Sequence, residues 1–275
     1  MKKISSEINL HILSVFFIGI VLLTVSCKND NKNPQPAETP GKIVFKFTHR
    51  IGGQPIRFDT LMYVNAAGNH YLVNEIQWFL SDVAIHKNND SILLDKWEDI
   101  HYVDTDIEST WTYTLKDDIS PGTYDSISLT FGISEEKNKS MLFVNPPESL
   151  MFWPELLGGG YHYMKLNGKW LDTLNNITPF NFHLGIGQIY YSFPDSIERF
   201  VQNYFRVRLP NSGFELKENE TKTFTIVMNV ENWFQNPNVF DFNYWGGKIM
   251  QNQDALHAAC ENGWDVFTIE KGGLR

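Results

Sequence analysis

The chain predicts an all-β fold: an antiparallel β-sandwich, immunoglobulin-like or related, with long loops and one helix near the C-terminus. Three observations carry this. Short runs of alternating apolar and polar residues recur from residue 41 onward, which is the period of a half-buried strand. Turn-forming stretches punctuate them, such as Lys87–Asp90, Ser120-Pro121-Gly122 and Pro210–Gly213. Aromatic residues are abundant, eight of them Trp, so a sizeable core can be built. Many short strands at such spacing argue for a sandwich or barrel. No internal repeat and no boundary interrupts residues 41–275, so a single domain is expected there.

In chain order, residues 1–26 read as a leader. Lys2 and Lys3 precede an apolar stretch of about twelve residues from Ile12 to Leu23, short of the roughly 20 that span a bilayer. A charged start, a short apolar middle and small residues before the cut describe a secretory signal. Thr24-Val25-Ser26-Cys27 resembles the lipobox of bacterial lipoproteins, with Thr24 where Leu is usual; Cys27 is then the lipidated first residue of the mature chain. The alternative is a plain signal peptide with Cys27 incidental. Residues 27–40 form a polar, Pro-rich tether with no apolar side chain larger than Ala37, a composition that cannot bury enough surface to fold. In Bacteroidetes-type lipoproteins a short polar or acidic stretch there can direct export to the cell surface. Asp30 is the only acid close to Cys27, so periplasm-facing and surface-facing anchors both stay open.

Lys42–His49 alternates strictly, with Ile43, Phe45, Phe47 and His49 on one face and Val44, Lys46 and Thr48 on the other. Further strand-like runs are Glu75–His86, His101–Asp104, Thr110–Leu115, Thr123–Phe131, Tyr161–Leu166, Phe180–Leu184, Asn203–Leu209 and Thr221–Val230. Phe45, Phe47, Trp78, Phe131, Phe182 and Ile226 are expected in the core. From about Gln251 to Asn262, Ala255, Leu256, Ala259 and Cys260 fall at helical spacing and Gly263 follows as a stop. Asp265–Glu270 reads as a last strand.

The formal charge of −9 becomes about −10 once Lys2, Lys3 and Glu7, together a net +1, leave with the leader. An acidic chain without a basic cluster is a poor nucleic-acid binder. With Cys27 lipidated, Cys260 is the remaining cysteine and no intrachain disulfide is possible. Cys260 sits in an apolar-periodic segment and reads as a small buried hydrophobe.

No catalytic signature is present: no G-x-S-x-G, no phosphate-binding glycine loop, no H-E-x-x-H and no C-x-x-C. Gly158-Gly159-Gly160 lacks the strand–loop–helix context and lysine of a nucleotide site. The spacing of Asp104, Asp106 and Glu108 lacks the glycine turn and terminal bidentate acid of a Ca²⁺ loop, so a solvated loop is the better reading. Trp97, Trp111 and Trp170 are candidates for sugar stacking, but core packing accounts for most Trp in such chains. Of the eight histidines, only His11 lies in the leader. Imidazole is the commonest side-chain metal ligand and suits Cu, Zn and Ni. His49 stands at the end of the apolar face of its strand. His183 shares with Asn181 the face opposite Phe180, Phe182 and Leu184.

Phe45–Gly53 (FKFTHRIGG), Tyr71–Ile85 (YLVNEIQWFLSDVAI), Thr130–Ile133 (TFGI), Met151–Leu166 (MFWPELLGGGYHYMKL), Phe180–Gly185 (FNFHLG) and Ile249–Phe267 together resemble the MbnP-like copper-binding domain family, over nearly all of residues 42–270. The resemblance implies a secreted or lipid-anchored β-rich domain with a mononuclear copper site made of a few histidines. By position, His49 and His183 are the candidate ligands and His162 the reserve third. In some members a tryptophan near the metal is oxidised to kynurenine, and a dihaem peroxidase-like protein is a frequent partner. Some copper-binding members place a Trp two residues from a ligand His. This chain has no such pair, and Trp153 belongs to the Phe-Trp element.

Two functions are therefore expected in competition. One is an outer-membrane lipoprotein that binds copper for scavenging or delivery. The other is an envelope module, without metal, that presents loops to a glycan or protein. An enzyme is disfavoured by the missing motifs.

Overall fold

A computed structural model describes residues 38–272 apart from Trp97. The segment expected as a leader, Cys27 and the expected tether up to residue 37 lie outside the described residues.

The strands of the two main sheets are β1 (Lys42–Ile51), β2 (His70–Lys87), β3 (Ser126–Phe131), β4 (Met164–Leu171), β5 (Ile177–Leu184), β6 (Phe205–Arg208), β7 (Thr221–Asn229) and β8 (Phe267–Lys271). One sheet runs β8-β7-β1; the other runs β5-β4-β2-β3-β6, and shorter strands extend both. Pairings are antiparallel except β1 with β7, which is parallel and sets Phe45 beside Phe224 and His49 beside Met228. That pair joins segments nearly 180 residues apart, so no hairpin constrains its direction.

The alternation seen in the sequence becomes the core. Phe45, Phe47, Trp78, Phe131, Phe182 and Ile226 are all buried. Phe47 meets Trp78 edge-on at 5.6 Å, and Phe267 lies 5.2 Å from Trp78 and 5.8 Å from Phe131. The two sheets thus interlock through aromatic rings, in tilted and edge-on geometries favoured by the ring quadrupole. The all-β sandwich expected from the sequence is what forms.

The helix α1 spans Gln253–Asn262; the side chain of Asn252 accepts from Ala255 N, and Gly263 closes it. Cys260 packs beside the core and donates from Sγ to Asn203 O at 3.2 Å. Burial pushes its thiol up to about 12, so it behaves as the small hydrophobe expected. Two local differences have physical causes. The run expected as Thr110–Leu115 begins as a 3-10 turn, Glu108–Trp111, because Thr110 Oγ1 bonds Ile107 O at 2.7 Å. An exposed hairpin, Gly187–Ser192 with Ser196–Val201, was not foreseen, since its second strand, SIERFV, buries almost nothing and shows little alternation. Among the described residues no helix is long and apolar enough to cross a membrane.

A second, smaller cluster lies on the far face of the β2 sheet. Along β2, Trp78 and Leu80 point into the main core while Phe79 points outward, where it packs with Tyr102, Ile133, Met151 and Tyr161. Phe143 stacks on Phe79 at 5.4 Å. This cluster fastens residues 143–161 onto the outer face of the sheet. Tyr161 reinforces it, because its hydroxyl accepts from Phe143 N at 2.7 Å and donates to Phe143 O at 3.0 Å.

Candidate functional site

The outer face of β4 and β5 carries Lys165, Asn167, Asn181 and His183. The register places Lys165 opposite His183 and Asn167 opposite Asn181; on the other side, Gln77 and Glu75 of β2 oppose Lys165 and Asn167. These are the outward positions because Met164, Leu166, Phe182 and Leu184 take the core. The segment just before β4 folds back over this face. An isolated bridge pairs Phe152 with Tyr161, and Trp153 N donates to Gly160 O at 2.8 Å. His162 emerges from this bridge beside Tyr161 of the satellite cluster and is 5% exposed.

The rings of His162 and His183 meet edge-on, with centroids 5.1 Å apart. Their hydrogen bonds fix both tautomers. His162 Nδ1 lies 2.9 Å from Met151 O. A carbonyl only accepts, so Nδ1 carries the proton and Nε2 is left as a bare lone pair. His183 Nε2 lies 2.7 Å from Asn167 Oδ1. Asn167 Nδ2 donates to Glu75 Oε1 at 2.6 Å, which fixes the amide with its oxygen toward the imidazole. His183 Nε2 therefore holds the proton and Nδ1 is bare. Both bare nitrogens, His162 Nε2 and His183 Nδ1, are buried and have no hydrogen-bond partner. Buried polar atoms are rarely left so. Imidazoles whose second nitrogen is anchored on a carbonyl or amide oxygen are also the usual form of metal-ligating histidine.

The electrostatics keep the pair neutral. Burial is the largest cause in each case. It lowers His162 to about 3, with help from His183 and Lys165, and His183 to about 4, with help from Lys165. Lys165 Nζ donates to Leu150 O at 2.5 Å and ties the covering segment to the sheet. Burial also lowers Lys165 itself, against an opposing effect of Glu75. Two neutral imidazoles, a nearby ammonium and no thiolate or carboxylate on the bare nitrogens form an uncharged nitrogen donor set.

Trp153 completes the site. It is fully buried, its ring lies 4.6 Å from that of His162, and Nε1 donates to Leu157 O at 3.0 Å. His162 lies nine positions after Trp153 in the chain, so no Trp-x-His spacing announces the contact. The Phe152–Tyr161 bridge creates it. Gly185 makes room: a Cβ there would stand 2.6 Å from the indole ring.

His49 is placed differently from the expectation that set it beside His183. It is 7% exposed, in line with Phe45 and Phe47, and its Nε2 accepts the indole N–H of Trp78 at 3.1 Å. Its lone pair is thus engaged, and burial lowers it to about 4. Among the described residues no three of His, Cys, Asp or Glu gather as a metal-holding group, so His49, His162 and His183 do not form a triad. The pair brought together is the expected ligand His183 with the reserve ligand His162. Asn167 and Glu75 escaped the sequence reading, because their role depends on strand register. Asp104, considered for Ca²⁺, instead accepts Tyr102 Oη–H at 2.7 Å, Gln77 Nε2–H at 3.1 Å and Asp106 N–H at 2.9 Å.

A family profile described as MbnP matches residues 40–251. This chain belongs to the MbnP family. A solved structure, MbnP from Methylosinus trichosporium, superposes with a TM-score of 0.53 at 10% identity, covering 84% of this chain and 99% of that one. At that identity the likeness is one of fold. No curated protein matches the chain. The MbnP match takes in β1 to β7 and both histidines of the pair, and stops just before α1.

Proposed function

We propose that this MbnP-family chain is an envelope-anchored lipoprotein that binds one Cu(I) ion between His162 and His183, for scavenging or delivery of copper. One observation carries the reading: the rings of His162 and His183 are neighbours, His162 Nε2 and His183 Nδ1 are buried without hydrogen-bond partners, and the opposite nitrogen of each ring is anchored. The residues fit the ion. Imidazole nitrogen suits copper, and neutral donors beside Lys165 disfavour a higher ionic charge. The ion would supply the missing partner for both lone pairs. Met151 O and the Glu75–Asn167 pair hold the rings in the tautomers that binding needs, and the fastened segment keeps water from the site.

Trp153 is the tryptophan packed against His162 of this pair. It is the residue on which the oxidation to kynurenine implied by the family resemblance would fall, with a dihaem peroxidase-like protein as partner. Mass spectrometry of the protein from its native envelope tests this through the mass of the Trp153 peptide.

The decisive experiment is a Cu(I) titration against a competing chelator. Wild type is expected to bind one equivalent, and His162→Ala and His183→Ala each to bind at least tenfold more weakly, about 1.4 kcal/mol. If both variants bind as wild type does, the site is elsewhere. If wild type binds nothing, the scaffold serves as a metal-free envelope module. Anchoring is tested separately. Cys27→Ser should release the protein to the soluble fraction or leave it unprocessed; normal processing and membrane partition would refute the lipid anchor.

A further inference from the structure

The opposite edge of the same outer sheet face carries a second polar constellation, independent of the histidine pair. Along β3 the outward residues are Ser126, Ser128 and Thr130, while Ile127, Leu129 and Phe131 fill the core. Arg206 and Arg208 of β6 stand opposite Thr130 and Ser128, and on the other side His86 of β2 stands opposite Ser126. Three small hydroxyl residues thus form a floor between two guanidinium groups and an imidazole. All three are buried although they face away from the core.

The floor holds its cationic walls in place. Arg208 Nε donates to Ser126 Oγ at 2.7 Å, Arg206 Nε to Ser128 Oγ at 3.3 Å, and His86 Nε2 lies 2.8 Å from Ser128 Oγ. Each arginine is gripped through Nε, which leaves its terminal Nη groups without a protein acceptor among the described residues. Neither arginine takes part in an ion pair among the described residues. Asp125, whose charge acts on His86 in the opposite sense, spends one carboxylate oxygen on Asn88 N at 2.8 Å. In a chain of net charge −9, two same-face arginines left unpaired beside a histidine are unusual. Between them opens a cavity of about 440 Å³, lined by His86, Asn89, Ser128, Arg206 and Arg208.

We propose that this trough is an oxyanion site that takes a phosphate monoester group, free or as a lipid headgroup. Two guanidinium forks present paired N–H donors in the geometry that phosphate oxygens accept, and neutralising two adjacent cations supplies the electrostatic drive. His86 reports on occupancy. It is lowered by burial first and then by Arg208 and Arg206, so an anion between the arginines raises it.

The test is an NMR titration of His86 in the intact chain at three conditions: no added anion, inorganic phosphate, and dihexanoyl phosphatidic acid below its micelle concentration. Saturating phosphate monoester is expected to raise the His86 midpoint, and the double variant Arg206→Gln/Arg208→Gln to lose at least about tenfold in affinity. Circular dichroism confirms that the variant keeps its fold. A response to both ligands assigns the site to phosphate monoesters in general, and a response to one alone identifies the source. If neither ligand moves His86 in wild type, or the double variant responds as wild type does, the proposal is overturned.

Discussion

His49→Leu separates a histidine that supports the core from the histidines proposed to hold metal. The imidazole is 7% exposed and accepts the N–H of Trp78, itself 1% exposed, at 3.1 Å. Leucine fills a comparable volume but accepts nothing, so the indole N–H is left buried and unpaired. Stranding such a donor costs about 1–3 kcal/mol. Leucine's more favourable burial offsets part of that, and a net loss of about 1–2 kcal/mol remains. With a urea slope of about 2–3 kcal/mol per molar, the unfolding midpoint should fall by roughly 0.5 M. Trp78→Phe deletes the donor instead, and the double variant should recover about 1 kcal/mol relative to additivity, since the two residues form one hydrogen bond. Cu(I) affinity, measured by chelator competition on the same protein, should stay within about twofold of wild type. A tenfold or greater loss of copper binding in His49→Leu, with the urea midpoint unmoved, would refute this reasoning and make His49 a ligand.

Three further outcomes are expected. Asn167→Leu removes the acceptor that holds the His183 tautomer, and Cu(I) affinity should fall about 10–100-fold, as for other residues that orient a ligand; unchanged affinity would mean that Asn167 does not orient the ring. His162 and His183 are held down to about 3 and 4, so protons should not compete with Cu(I) between pH 7 and 5, and a tenfold weakening over that range would show ordinary exposed imidazoles. The same depression acts on folding. His49, His162 and His183 take up protons more readily unfolded than folded, so stability is full above the ordinary value near 6.5 and is lost as pH falls toward 4; His49 alone contributes on the order of 3 kcal/mol to that loss, measurable as a urea midpoint that drops between pH 7 and pH 4. Phe182→Ala empties a site that is 1% exposed and packed edge-on against Phe234 and Phe240; unfolding free energy should fall by about 3–5 kcal/mol, and a loss under 1 kcal/mol would mean that the segment after β7 does not pack tightly on β5 there.

The amino-acid sequence by itself determined the fold class, most strand positions, the C-terminal helix and the identity of the main core residues. These follow from local period: an apolar residue at every second position must face inward whichever strand lies beside it. Phe45 and Phe47 on β1, and Phe180, Phe182 and Leu184 on β5, were legible for that reason, as was the outward direction of His183. The same periodicity also misled, because it put His49 on the core face without revealing that Trp78 would claim its lone pair. The tertiary structure alone decided the site. His162 reaches His183 only because Met151 and Tyr161 anchor the preceding segment on Phe79, and Trp153 reaches His162 only through the Phe152–Tyr161 bridge. Asn167 and Glu75 gain their roles from the register of β2, β4 and β5. Register is set by pairing between segments far apart in the chain, and a one-residue slip would turn each of these side chains to the other face. That long-range choice has no local signature, which is why the strands could be read from the sequence and the partners of their side chains could not.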